Sequence, residues 1–188
     1  MKKIITLMCF CLIAGYSFAQ LEKGGWIITL EGNGKFSNYR ENFKSSSLYI
    51  KPGVMKLLAK NLALGINIRV LSERHIYPPF PDSGSIVYKE KTFSLEAGPV
   101  LRKYFGDYRL RPYAEMGIGF EIQNTNYFRN NNKTLSGSSF GVHIRPMLGI
   151  SYWINENVSV DLKGGYDYNM DNPYDNWILN LGFSLKLH

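Results

Sequence analysis

The stretch LALGINIRV, Leu62 to Val70, decides the fold. Leu62, Leu64, Ile66, Ile68 and Val70 alternate without a fault with Ala63, Gly65, Asn67 and Arg69. Successive side chains of a strand point to opposite faces, so this segment has one oily face and one face of small or polar groups. A soluble sandwich or barrel turns such an oily face inward and a barrel in lipid turns it outward. Alternation alone does not separate the two.

The pattern recurs along the chain. Trp26, Ile28 and Leu30 form one row, and Leu48, Ile50, Pro52 and Val54 a second. After the Leu62 row come Phe93 to Leu101, Ala114 to Ile122, Phe140 to Tyr152, Val158 to Tyr168 and Trp177 to Leu187, each read at every second residue. These eight rows hold 41 positions and no charge. A tilted strand of about 9 to 11 residues crosses a bilayer, which is the length of the longer rows.

The alternate face carries Gly65, Gly98, Gly117, Gly119, Gly141, Gly149 and Gly182 together with balanced charges. Glu31, Glu96, Glu115, Glu121, Asp161 and Asp167 stand against Lys51, Arg69, Arg102, Arg145, Lys163 and Lys186. Glycine weakens a freely solvated strand but suits a crowded concave wall, and equal numbers of the two signs suit an enclosed network. The face with charges therefore reads as a lumen and the oily face as the lipid side.

The connections alternate in length. GKFSNYRENFKS, SERHIYPPFPDSGSIVYKEK, NTNYFRNNNKTLSGSS and NMDNPYDN are long, whereas the turns around LLAKN, FGDYRLR and INENV are tight. Short turns at one end and long loops at the other mark outer-membrane barrels. Aromatic residues gather at row ends, with Trp26, Tyr104, Phe105, Tyr152 and Trp153 near the short turns and Phe93, Tyr166, Tyr168 and Trp177 near the long loops. They are candidate interfacial girdles. The expected fold is all-β: an eight-stranded antiparallel up-and-down transmembrane β-barrel with short periplasmic turns and longer outer loops. An open edge in hydrocarbon would leave amide groups unpaired, so the sheet must close.

Two lysines, an apolar run from Ile4 to about Gly15 and small residues at Ser17 and Ala19 read as a secretory signal over residues 1–19, with cleavage between Ala19 and Gln20. Residues 20–188 are then one barrel domain. Cys9 and Cys11 both fall inside the signal, which excludes disulfides and thiolate chemistry from the mature chain. Loss of Lys2 and Lys3 leaves 20 basic against 15 acidic residues, scattered rather than in runs, which gives no argument for nucleic acid.

At this point the chain resembles the small bacterial outer-membrane β-barrel domain proteins, and is similar to the transmembrane domain of outer-membrane protein A and to outer-membrane protein X. NLALGINIR, RPYAEMGIGF and the closing strand NLGFSLKL carry the resemblance. In that strand Asn180, Gly182, Leu185 and Leu187 are similar to the signal read by the barrel assembly machinery, with His188 where a terminal aromatic is usual. The resemblance implies no catalytic residue and no cofactor. It leaves outer-membrane lipid, the assembly machinery and an unidentified surface partner as the expected contacts of a monomer.

Two other function classes fit an exported β-protein. A lipid A-modifying enzyme needs a nucleophile, a base and an orienting group within hydrogen-bond reach; His143 lies among interior charges, and His75 and His188 lie near no serine and acid pattern. A periplasmic lipocalin-like carrier is also eight-stranded but buries its oily face, which the glycine-rich polar face argues against. Three scattered histidines give no metal spacing, and Asp171 and Asp175 in MDNPYDN lack the spacing of a calcium loop. Tyr77, Pro78, Pro79, Phe80 and Pro81 in the second long loop suit a contact surface.

Overall fold

The computed structural model describes residues 21–39, 43–77, 88–130, 132–170 and 176–187. The expected signal segment, Pro78 to Pro81, Asp171, Asp175 and His188 lie outside them. Eight strands follow one another: β1 (Trp26–Tyr39), β2 (Phe43–Ala59), β3 (Leu62–Tyr77), β4 (Tyr88–Tyr104), β5 (Leu110–Arg129), β6 (Asn132–Trp153), β7 (Val158–Asn169) and β8 (Asn176–Leu187). Each pairs antiparallel with the next, and β1 pairs with β8 from Trp26↔Leu187 to Gly32↔Leu181, closing the ring.

The alternation decides the faces as expected. The apolar rows point away from the lumen, and Leu64, Ile66, Ile68, Leu95, Leu101, Phe120, Leu148 and Leu181 are exposed. In water this surface would be untenable; in hydrocarbon it is the solvated face. The lumen side is close-packed. At Gly98 an added Cβ would collide with the Ile118 carbonyl, and at Gly149 with the Tyr113 ring, so these inner-wall glycines let neighbouring groups approach.

The strands are far longer than a bilayer requires. β5 has 20 residues and β6 has 22, against the roughly 9–11 that span hydrocarbon. NTNYFRNNNKTLSGSS, expected as a loop, is a hairpin paired from Gln123↔Ser139 to Arg129↔Asn132. Polar residues hid it because a strand above the membrane meets water on both faces and carries no apolar alternation. Side chains knit it instead. Ser138 Oγ donates to Asn124 Oδ1 at 2.7 Å, Thr134 Oγ1 donates to the Tyr127 carbonyl at 3.2 Å, and Thr92 and Thr125 hydroxyls lie 3.1 Å apart. Asn130 takes a positive φ of 49° at the tip, a conformation asparagine tolerates better than most residues. The second long connection shortens likewise, since β3 and β4 pair up to Tyr77↔Tyr88.

The extension is lopsided. β6 pairs with β7 only as far as His143↔Asn169, and β8 with β1 only as far as Leu181↔Gly32. Above those rungs β1 to β6 stand as a tall wall with β7 and β8 below its rim. Asn132 to Gly141 thus have no β7 partner on that side of β6 among the described residues.

Three mid-strand prolines interrupt the ladders. Pairing of β2 with β3 passes from Ile50↔Val70 to Gly53↔Asn67, skipping Pro52. That of β4 with β5 passes from Ala97↔Phe120 to Val100↔Gly117, skipping Pro99. That of β6 with β7 passes from Ile144↔Tyr168 to Met147↔Gly165, skipping Pro146. Proline has no N–H to give to a ladder.

Candidate functional site: the lumen and the rim

Inward-facing positions at the short-turn end make an apolar plug. Ile27, Met55, Leu57, Ala63, Val100, Tyr104, Tyr113 and Trp153 cluster there, and Leu21, from the segment before β1, packs among them. The Asn61 N–H donates to the Leu21 carbonyl at 3.2 Å and the Gly24 N–H to the Leu57 carbonyl at 2.8 Å, tying that segment across the barrel floor. Arg111 is wholly buried beside them. Its Nε donates to the Tyr108 carbonyl at 2.8 Å, and its guanidinium lies 5.8 Å from the Trp153 ring.

Two residues expected in the girdle belong here instead. Trp153 is 0% exposed and Tyr104 is also buried. Each stands at an odd step from its outward row, Trp153 after Tyr152 and Tyr104 after Leu101, so alternation turns both inward. A place in an aromatic cluster at a strand end does not override that parity. Trp26, Phe93, Tyr168 and Trp177 are exposed, and Tyr152 and Tyr166 are half-exposed, all on the outer side. Tyr166 and Trp177 meet edge to face with centroids 5.5 Å apart.

Above the plug, Arg102 is the hub of the charge network. Its Nε and Nη2 reach Glu115 Oε2 at 2.7 and 2.5 Å, Nη1 donates to the Tyr104 hydroxyl at 3.1 Å and reaches Asp161 at 3.3 Å, and Nη2 lies 3.5 Å from Glu31. Its guanidinium stacks 4.4 Å from the Tyr113 ring centre. Lys163 bridges Glu115 at 2.5 Å and Glu31 at 2.7 Å. Asp161 also accepts from the hydroxyls of Ser151, Ser159 and Ser184. Lys186 is buried at the same end.

Nearer the outer mouth, Arg145 forks onto Glu96 through both Nη atoms, and its Nε lies 2.8 Å from Asp167. Arg69 reaches Glu96 at 3.5 Å and Asp167 at 3.6 Å. His143 Nδ1 lies 2.8 Å from Asp167 and Nε2 lies 2.9 Å from Glu121. The twelve charged residues singled out in the sequence therefore all face the lumen. Arg111, Tyr49, Asn67 and the three serines around Asp161 were not singled out, although the same parity places them inside.

The network limits the chemistry of the site. Both His143 nitrogens already meet carboxylates, so neither is left to activate a hydroxyl as a hydrolase triad requires. Glu96, Glu121 and His143 have ligand atoms within 4.8 Å of one another. A metal there would have to displace Arg145 from Glu96, and the geometry favours the ion pair. Outside the membrane, Lys60 Nζ donates to Asp107 at 2.8 Å and Asn61 Nδ2 donates at 3.1 Å, and these bonds hold the Asp107 carboxyl below its usual value. At the closing strand, Asn180 and Gly182 face inward while Leu185 and Leu187 face outward.

No protein-family model and no curated protein sequence matches the chain. Solved structures do. The outer membrane protein OprG from Pseudomonas aeruginosa superposes with a TM-score of 0.53 at 13% identity, covering 92% of this chain and 100% of that one. The fold is that of a small outer-membrane β-barrel. Neisserial surface protein A is similar at 19% identity, with a TM-score of 0.48 over 88% of this chain and 98% of that one. The outer membrane enzyme PagL is similar at 16% identity, with a TM-score of 0.35 over 86% and 98%. The exposed oily rows of this fold suit a wall of strands, rather than helices, set in lipid.

Proposed function

We propose that the protein is an exported, monomeric outer-membrane barrel with a plugged lumen and no catalytic activity, which acts as a surface-interaction protein through the wall above its rim. The β6 edge from Asn132 to Gly141, without a β7 partner among the described residues, carries this reading. An edge strand with open N–H and C=O groups is a template for another extended chain, and native proteins ordinarily blunt or cover such edges. This edge has no proline and only one charge, Lys133. The partner that fits is an extended protein segment adding to the sheet by backbone hydrogen bonds. The lipid contacts are the apolar rows between the outer aromatics, and recognition by the assembly machinery falls to Asn180, Gly182, Leu185 and Leu187.

The plugged lumen rests on the arrangement around Arg102 and Arg145, where long side chains from opposite walls meet in the middle. Eight strands leave an interior just wide enough for side chains to fill. Planar-bilayer recording is expected to be silent or to give rare small flickers, and stable ohmic conductance of porin size would contradict the plug. For the interaction, Asn126 to Ser136 can be replaced by a two-residue turn joining the paired Thr125 and Gly137. That variant should still show heat-dependent gel mobility while cells displaying it lose adhesion to protein-coated surfaces. Adhesion that does not differ between the full and shortened barrels counts against the reading. Lipid A of unchanged composition in cells with and without the protein is the expected outcome for a non-enzyme.

A further inference from the structure

The wall above the outer aromatics sorts its charges by side. Pairing of β3 with β4 runs without a skip from Leu62↔Lys103 to Tyr77↔Tyr88, so the parity of the membrane rows carries to the top of both strands. On the inward side stand Glu73 and Glu90, the latter accepting from the Tyr77 hydroxyl at 2.9 Å. On the outward side of β2, β3 and β4 stand Lys44, Arg74, Lys89 and Lys91, with no acid beside them on that face among the described residues.

The four bases are close neighbours. Arg74 pairs directly with Lys91, and one outward rung higher Ile76 pairs with Lys44 on one side and Lys89 on the other. With strands about 4.8 Å apart, the four Cα atoms fall within roughly 12 Å of one another. Lys44, Arg74 and Lys91 are exposed and form no ion pair among the described residues; Lys91 Nζ lies 5.2 Å from the Phe128 ring centre. Like charges directly opposite one another destabilise a sheet, so the arrangement calls for an anion from outside the chain. Its height is informative. The outward rung beneath Arg74↔Lys91 is Ser72↔Phe93, and Phe93, an exposed residue, belongs to the outer aromatic row. At about 3.4 Å per residue and a tilt near 40°, the bases begin roughly 5 Å above that row, in the layer of lipid headgroups.

We propose that this patch binds the phosphate groups of an outer-leaflet glycolipid of the lipid A type. Arg74 presents a planar fork that matches phosphate oxygens, and the three lysines add point charges around it. Directly below, Leu48, Phe93 and Leu95 are exposed on the same face of the same strands. One lipid can therefore seat its phosphates on the bases and its acyl chains on the apolar rows. A soluble polyanion gains only the first of these contacts, which is why the lipid is the occupant. The inference rests on the outer-membrane reading and deepens its lipid contacts. It is independent of the β6 edge, so a failed adhesion test leaves it standing.

The refolded full barrel in zwitterionic detergent is titrated with lipid A carrying both phosphates and with the same lipid dephosphorylated. The wild type is expected to bind the phosphorylated form about tenfold tighter or more. The double variant Arg74→Gln, Lys91→Gln is expected to lose that preference while keeping its heat-dependent gel mobility, and Lys103→Gln, at the opposite boundary, to keep both. No preference in the wild type, or a preference retained by the double variant, overturns the proposal. Inositol hexakisphosphate, soluble and richer in phosphate, is the third arm. Binding as tight as the lipid's assigns the patch to a soluble polyanion and overturns the lipid as occupant. Insertion into vesicles is scored on the same protein: insertion without a phosphate preference overturns this inference alone, and failure to insert overturns the membrane reading with it.

Discussion

Replacing Ile66 by arginine tests which face meets lipid and how deep it lies. Ile66 is 56% exposed and pairs with Val54 on one side and Pro99 on the other. Four residues along β3, Leu62 pairs with Lys103, whose outward lysine marks the short-turn boundary of the apolar band. At about 3.4 Å per residue and a tilt near 40°, Ile66 lies roughly 10 Å above that boundary. The apolar band is about 25 Å tall, so this is close to its midplane, where arginine costs about 2–4 kcal/mol and falls to about 0–1 kcal/mol near the interfaces. Urea unfolding in phospholipid vesicles, followed by tryptophan fluorescence and heat-dependent gel mobility, should show that loss for Ile66→Arg. Leu62→Arg should cost at most about 1 kcal/mol, and Ile66→Leu should be nearly neutral. Equal costs for the two arginine variants would refute the depth, and a neutral Ile66→Arg would refute the outward assignment altogether.

Brominated-lipid quenching should separate the three tryptophans: Trp26 and Trp177, both exposed, are quenched, whereas Trp153, inside the plug, is not; each is read in a variant with the other two changed to phenylalanine. Arg102→Met should destabilise the barrel by about 3–5 kcal/mol in urea, because it leaves buried Asp161 without its cation and Glu115 and Glu31 sharing Lys163. Adding Glu115→Gln should recover part of that loss, and strict additivity of the pair would argue against the hub. Asp107, whose folded carboxyl is held below its ordinary value of 3.8 by Lys60 and Asn61, contributes stability above that value and loses it as pH falls through the lower folded one. Lys60→Met should flatten that acid limb of the stability curve and make it insensitive to salt.

The faces of the barrel could be read because each rested on a strict period of two. Gly65 beside Ile66 and Arg102 beside Leu101 are enough to assign inside and outside once lipid is the solvent. Trp153 and Tyr104 depart from the girdle for a specific reason, since parity turns a side chain inward even at a strand end. The height of the wall was hidden for a different reason. Gln123 to Arg129 and Asn132 to Ser139 lose the oily alternation where they leave the bilayer, so their strand character rests on cross-strand partners that a linear reading does not pair. The partner choices inside the lumen are equally non-local. Arg145 meets Glu96 across 49 positions of sequence, and only closure of the ring brings them together.

Pro52, Pro99 and Pro146 stand 47 residues apart, and each breaks the ladder between an even strand and the strand after it. The ladders of β1 with β2, β3 with β4 and β5 with β6 have no such gap. The ladder of β7 with β8 is likewise unbroken, so the cylinder has a grain: four firmly zipped hairpins joined by three seams that each lack rungs at mid-height. Pulled from one terminus out of a membrane, such a wall should part along its seams, releasing the chain in hairpin-sized lengths rather than strand by strand.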